Sequence, residues 1–69
     1  MGDKKLHNTI KVQRAKLNLT QGQLAELVGV TRKTINTIEN GIYVPSTYLA
    51  LKMSLALNVS VEELFQLEE

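Results

Sequence analysis

Sixty-nine residues, 43% of them hydrophobic and 22% charged, allow one small domain near the lower limit of what folds without a staple. The chain has no cysteine, which excludes disulfides and zinc–thiolate centres and removes any argument for secretion. The formal net charge of +1 hides a segregation: residues 1–52 hold all eight Lys and Arg against three acids, a net of +5, whereas residues 53–69 hold four glutamates and no base. A domain with one positive and one negative end is built to meet a polyanion from one side.

From the N-terminus, residues 1–7 are polar with no cap or period, so a frayed terminus is expected. The lysines there lack the apolar segment of a signal peptide behind them, and Leu6 stands where a myristoylation signal needs Ser or Thr. No apolar run approaches the roughly 18 residues of a membrane span. The expected compartment is the cytoplasm. His7 is the sole histidine and has no second ligand near it, which predicts a solvated side chain and no metal.

A first helix is predicted from Asn8 or Thr9 to Lys16, with Ile10 and Leu17 inward. Arg14 sits one turn after Ile10, close to the packing face, where a cation needs a partner. After the link Leu17-Asn18-Leu19, Thr20 and Gln23 form a capping-box pair that starts a second helix. Leu24, Leu27 and Val28 recur at i, i+3, i+4 as its buried stripe, and Gly29 closes it. Gly22, in the first turn, costs about 1 kcal/mol relative to alanine. It is either tolerated there or kept so that the backbone can approach a phosphate.

Thr31 is a second N-cap. Placed at about 100° per residue, Ile35 and Ile38 lie on one side of the third helix, and Arg32, Lys33, Asn36, Thr37 and Asn40 cover the other. Glu39 falls near the boundary. The outer face therefore carries two cations and several groups that donate and accept hydrogen bonds, with no acid among them. That chemistry suits phosphates and base edges.

Ile42 to Ser46 read as a loop, with Pro45 ahead of a Ser46 N-cap, and a fourth helix follows over Thr47–Leu57. Leu49, Met53, Ala56 and Leu57 form its core stripe, while Tyr48, Leu51 and Leu55 form a second stripe on roughly the opposite side. A helix in so small a domain buries one face readily, and a second apolar face needs another partner. A fifth helix covers part of it. The remainder, with Tyr43, Val44, Phe65 and Leu67, is the expected homodimer surface, set against a wholly intramolecular core. Ser60 and Glu63 make a second capping box that opens the fifth helix, with Val61, Leu64 and Phe65 inward. Glu62 and Glu63 are accounted for by the helix dipole and face no third group, so they are not read as a catalytic pair. The domain is expected to span residues 8–67, with 68–69 a tail.

Thr20-Gln21, Leu24-Ala25, Gly29-Val30, Ile35 and Glu39-Asn40-Gly41 stand in one fixed register. In that register the chain resembles the lambda-repressor-like, or Cro/C1 (XRE), helix-turn-helix DNA-binding proteins, and the resemblance runs from about Asn8 to Phe65. It implies an all-α, five-helix domain whose second and third helices form the helix-turn-helix, with the third entering the major groove. It further implies phosphate contacts from Gln21 and Asn40, and an ion pair between Arg14 and Glu39, 25 positions apart, that orients the third helix. Lys4 and Lys5 are additional candidates for the DNA backbone. Among base-reading candidates, Arg32 or Lys33 suits guanine, Asn36 suits adenine, and Thr31 or Thr37 suits a thymine methyl. Arg32 is expected to carry the most discrimination.

The expected function is sequence-specific binding of double-stranded DNA by a homodimer that regulates transcription, as a repressor, with no cofactor. Two other readings use the same residues. An antitoxin of a toxin–antitoxin pair would cover its toxin with the second apolar stripe, although no separate toxin-wrapping tail is present. A protein-interaction module that has lost DNA binding is opposed by Arg32 and Lys33. An enzyme is not expected, since the chain shows no nucleophile, histidine and acid set and no phosphate loop.

Overall fold

A computed structural model of the chain describes residues 4–68. Five helices and a two-stranded sheet follow in the order β1 (Leu6–Asn8), α1 (Ile10–Lys16), α2 (Gln21–Val28), α3 (Arg32–Glu39), α4 (Thr47–Leu57), α5 (Val61–Leu64) and β2 (Phe65–Leu67). Short polar caps decide where these helices begin. The Thr20 hydroxyl accepts from the Gln23 N–H at 3.0 Å, and the Gln23 carboxamide accepts from the Thr20 N–H at 2.9 Å. Ser60 and Glu63 make the same reciprocal pair at α5, while Thr31 and Ser46 cap α3 and α4 by accepting from Thr34 and Leu49. Each such cap satisfies a backbone donor that the helix itself cannot, and removing one costs about 1 kcal/mol. Gly29 ends α2 at φ 75°, in the left-handed region where a Cβ would be strained.

The core gathers one face of every helix: Ile10 from α1, Leu24, Ala25 and Val28 from α2, Ile35 and Ile38 from α3, Leu49, Met53 and Leu57 from α4, and Leu64 from α5. Ile35, Leu24, Met53 and Leu64 are fully buried, each worth about 1.5–3 kcal/mol of transfer free energy. Two leucines depart from the expected pattern. Leu27 is 60% exposed because α2 buries Leu24, Ala25 and Val28 instead, an arc centred on the far side of Leu24, with the small Ala25 admitting its neighbours. Leu17 is also exposed; it follows the last turn of α1, and Leu19 packs against the core in its place.

The N-terminal segment departs further. Leu6 and His7, expected in a frayed terminus, belong to β1, which pairs antiparallel with β2 in the register Leu6 to Leu67, His7 to Gln66 and Asn8 to Phe65. The Glu68 N–H donates to the Lys5 carbonyl at 2.8 Å, extending the ladder, so residue 68 is tied to the domain as well. The all-helical expectation therefore gains a small sheet that clasps the two ends of the chain. At its inner end the Thr9 N–H and hydroxyl donate to the Leu64 and Glu63 carbonyls at 2.9 and 2.8 Å, covering the end of α5. Among the described residues, no helix is long and apolar enough to cross a membrane.

Candidate nucleic-acid interface

α3 is fixed from beneath by Ile35 and Ile38, which are 0% and 1% exposed. With those two side chains inward, helical geometry turns Arg32, Lys33 and Asn36 to solvent, and all three are exposed. Thr31 is exposed beside them and Asn40 just beyond the last turn. Of the side chains singled out for base reading, Arg32, Lys33 and Asn36 thus share one exposed outward face of α3. Thr37 differs: it is half-buried and its hydroxyl donates to the Thr34 carbonyl at 2.9 Å, so this candidate is turned back toward its own helix. The Thr31 hydroxyl is likewise engaged, by the Thr34 N–H and the Thr34 hydroxyl.

The C-terminal end of α3 is held by a polar cluster. Arg14 Nε donates to Glu39 Oε2 at 2.6 Å and Arg14 Nη2 to Glu39 Oε1 at 3.1 Å, a two-point pairing, while Arg14 Nη1 donates to the Leu19 carbonyl at 2.8 Å. The two side chains are only 13% and 7% exposed. The hydrogen bond to Glu39 holds the Arg14 guanidinium above its ordinary value; burial opposes that shift and the charge of Glu39 adds to it. Gln21, at the first position of α2, donates from Nε2 to Glu39 Oε1 and to Asn36 Oδ1, each at 3.1 Å. α1, α2 and α3 therefore meet through four side chains at the edge of the exposed face.

Asn8, which the sequence offers only as a helix start, has a further role. Its Nδ2 donates to the Ile38 carbonyl at 3.0 Å and lies 3.4 Å from the Glu39 carbonyl, capping the open carbonyls of α3, while its Oδ1 accepts from the Ile10 N–H at 3.2 Å. One residue thus ties β1 to the end of α3 and the start of α1. The available signal was an Asn two residues ahead of a helical stripe, which says only that a helix begins. Lys5, a candidate for the phosphate backbone, lines a surface hollow with Glu39, Asn40 and Gly41, which brings it beside the end of α3; Lys4 is exposed.

Of the residues expected at a dimer surface, Tyr43, Val44, Tyr48, Leu51, Leu55 and Leu67 are all exposed, Leu55 at 81% and Tyr48 at 72%. Phe65 stands apart from them, half-buried and packed against the core. Lys52 Nζ lies 5.2 Å from the centre of the Tyr48 ring, within cation–π range.

A helix-turn-helix family profile matches residues 10–64, which contain every helix of the domain. The chain is 47% identical over 64 residues to an HTH-type transcriptional regulator, YgzD, of Bacillus subtilis (strain 168), covering 93% of this chain and 97% of that one. Among solved structures, a Bacteroides fragilis protein described as DNA-binding superposes with a TM-score of 0.80 at 31% identity, over 88% of this chain and 98% of its own. The restriction-modification controller protein C.AhdI from Aeromonas hydrophila superposes with a TM-score of 0.73 at 30% identity, over 78% of each chain.

Proposed function

Because this chain belongs to the Cro/C1-type helix-turn-helix family of DNA-binding transcriptional regulators, we propose that it reads a specific operator with α3 in the major groove and represses by occluding a promoter. The observation that carries this reading is the uncovered face of Arg32, Lys33 and Asn36 above the buried Ile35 and Ile38. In the groove, Arg32 or Lys33 donates to guanine O6 and N7, Asn36 meets adenine, and Thr31 approaches a thymine methyl. Asn40, Lys4 and Lys5 lie on the phosphate strands at the margins, where contacts set register without reading sequence.

One such domain reaches only a few base pairs. Two copies joined through Tyr43, Val44, Tyr48, Leu51, Leu55 and Leu67 would place two recognition helices on half-sites roughly 34 Å apart. Selection of bound sequences from random duplex DNA tests the proposal directly. A palindromic consensus is the expected product, and recovery of no enriched sequence would refute sequence reading. In the same assay, Arg32→Ala is expected to weaken binding to the preferred site by about 1–3 kcal/mol and to relax the preference at one position.

A further inference from the structure

We infer that Gln21 is a positioning residue: it fixes which way the Asn36 carboxamide faces and so lets the protein separate adenine from guanine at one base pair. The inference rests on α3 reading bases as proposed above. A carboxamide nitrogen carries two hydrogens, and both of those on Gln21 Nε2 are committed, to Asn36 Oδ1 and to Glu39 Oε1, each at 3.1 Å. A phosphate contact from this side chain would require giving up one of these bonds. Glu39 is itself held at both oxygens by Arg14, which is anchored in turn on the Leu19 carbonyl. A carboxylate in an ion pair only accepts, so the Gln21 nitrogen must face it. That nitrogen then requires an acceptor on its other side, and Asn36 supplies Oδ1. The orientation of Asn36 is thereby set by a hydrogen-bonded series that starts beside the core, at Arg14 and Glu39, and ends on the exposed face of α3.

The consequence is chemical. Adenine offers the major groove an acceptor, N7, beside a donor, N6–H; guanine offers two acceptors, N7 and O6. With its orientation set, Asn36 donates from Nδ2 to N7 and uses the remaining lone pair of Oδ1 for N6–H. Against guanine, Oδ1 would face O6, acceptor to acceptor. Turning the carboxamide over would only move the clash from O6 to N7, but an Asn36 no longer held by Gln21 could swing Oδ1 away and donate from Nδ2 alone to N7 or O6 of guanine, losing the distinction while still preferring a purine.

The test uses the full chain and duplex DNA. Sequences are selected by the wild type, Asn36→Ala and Gln21→Met, and binding is then compared on the wild-type consensus duplex and on its A-to-G partner at the position that Asn36→Ala relaxes. Discrimination for adenine of roughly tenfold or more in the wild type is expected to fall to about two- to threefold in Gln21→Met, with other positions unchanged. Equal weakening of both duplexes by Gln21→Met would show a phosphate or purely structural role and overturn the inference. If Asn36→Ala relaxes no position, base reading by Asn36 fails, and the inference with it. A measurement on the DNA-free wild type does not depend on the variants folding. Side-chain 15N relaxation of Asn36 is expected to give an order parameter above about 0.6, and a freely reorienting amide would refute the fixed geometry.

Discussion

At the scale of single residues, Arg14 and Glu39 hold the C-terminal end of α3. The pair is largely shielded, with side chains 13% and 7% exposed, and each of the three guanidinium nitrogens donates to Glu39 or the Leu19 carbonyl. Removing one partner leaves the other charge buried, which costs far more than the intact pair contributes over an apolar replacement. Arg14→Ala is therefore expected to lower stability by about 3 kcal/mol in urea unfolding, a large share of the total for a domain of this size. A loss below about 1 kcal/mol would mean that the pair is effectively solvated. The pH dependence follows from the direction of the shift. A group whose folded value is raised contributes stability that is complete below its unfolded value, which for an arginine lies far above neutrality, and lost only as pH rises through the still higher folded one. Arg14 accordingly adds no pH dependence in the neutral range. Unfolding midpoints that fell steeply between neutral and mildly alkaline pH in the wild type, but not in Arg14→Ala, would contradict this. Asn8 acts on the same end of α3 through carbonyls: Asn8→Ala forfeits the Ile38 bond and the Ile10 cap and is expected to cost about 1–2 kcal/mol by the same measurement.

At the scale of elements, α2 offers a separable test. Gly22 is helical, and a Cβ there would meet only the Thr20 hydroxyl, at 3.8 Å. Among the described residues nothing there requires a glycine, so Gly22→Ala is expected to stabilise by about 0.5–1 kcal/mol and raise Tm by a few degrees. Calorimetry checks that sign. DNA affinity measured on the same variant then assigns the glycine: an affinity loss alongside a stability gain marks a backbone approach to phosphate, and unchanged affinity marks plain tolerance. What the sequence disclosed about these elements follows from how local the signal is. The caps at Thr20, Thr31, Ser46 and Ser60 and the turn at Gly29 rest on contacts three to five residues apart, and α2, α3 and α4 were legible from them. Ile35 and Ile38 were legible because a short helix with two apolar residues on one side can hardly bury anything else. Leu27 misled because the i, i+3, i+4 and i, i+1, i+4 stripes share Leu24 and Val28, and only the packing of α2 against α3 and α4 chooses between Leu27 and Ala25. The sheet was invisible for a different reason. Leu6-His7-Asn8 is too short and polar to show alternation, and its partner lies at the other end of the chain. The same distance hid the further role of Asn8, whose bonds to α3 span 30 residues.

At the scale of the whole molecule, the second stripe of α4 and its surroundings hold a group of uncovered apolar residues, apart from Val12, Leu17 and Leu27 on and beside α1 and α2. Tyr48, Leu51 and Leu55 follow one another at helical spacing and are 72%, 51% and 81% exposed, with Val44 and Leu67 exposed as well. Core packing therefore does not depend on them, which separates their fate from that of the fold. If the stripe joins two copies as proposed, Leu51→Glu with Leu55→Glu places four carboxylates in one contact, where desolvation and repulsion oppose association. The double variant is expected to sediment as a monomer, to keep its helical content because both sites face solvent, and to lose tenfold or more in affinity for a palindromic duplex, a conservative share of what linking two half-site contacts can supply. Affinity for a single half-site should stay within about twofold, since the substituted residues belong to α4 and not to the outer face of α3 proposed to read bases. Salt gives the complementary reading. As a dimer the wild type would engage about twice as many phosphates, so the slope of log affinity against log salt should be roughly halved in the variant, each phosphate contact contributing about 0.9. A wild type that is monomeric at the concentrations where it binds the full palindrome, or a variant that loses its helicity, would contradict a dimer formed through this stripe.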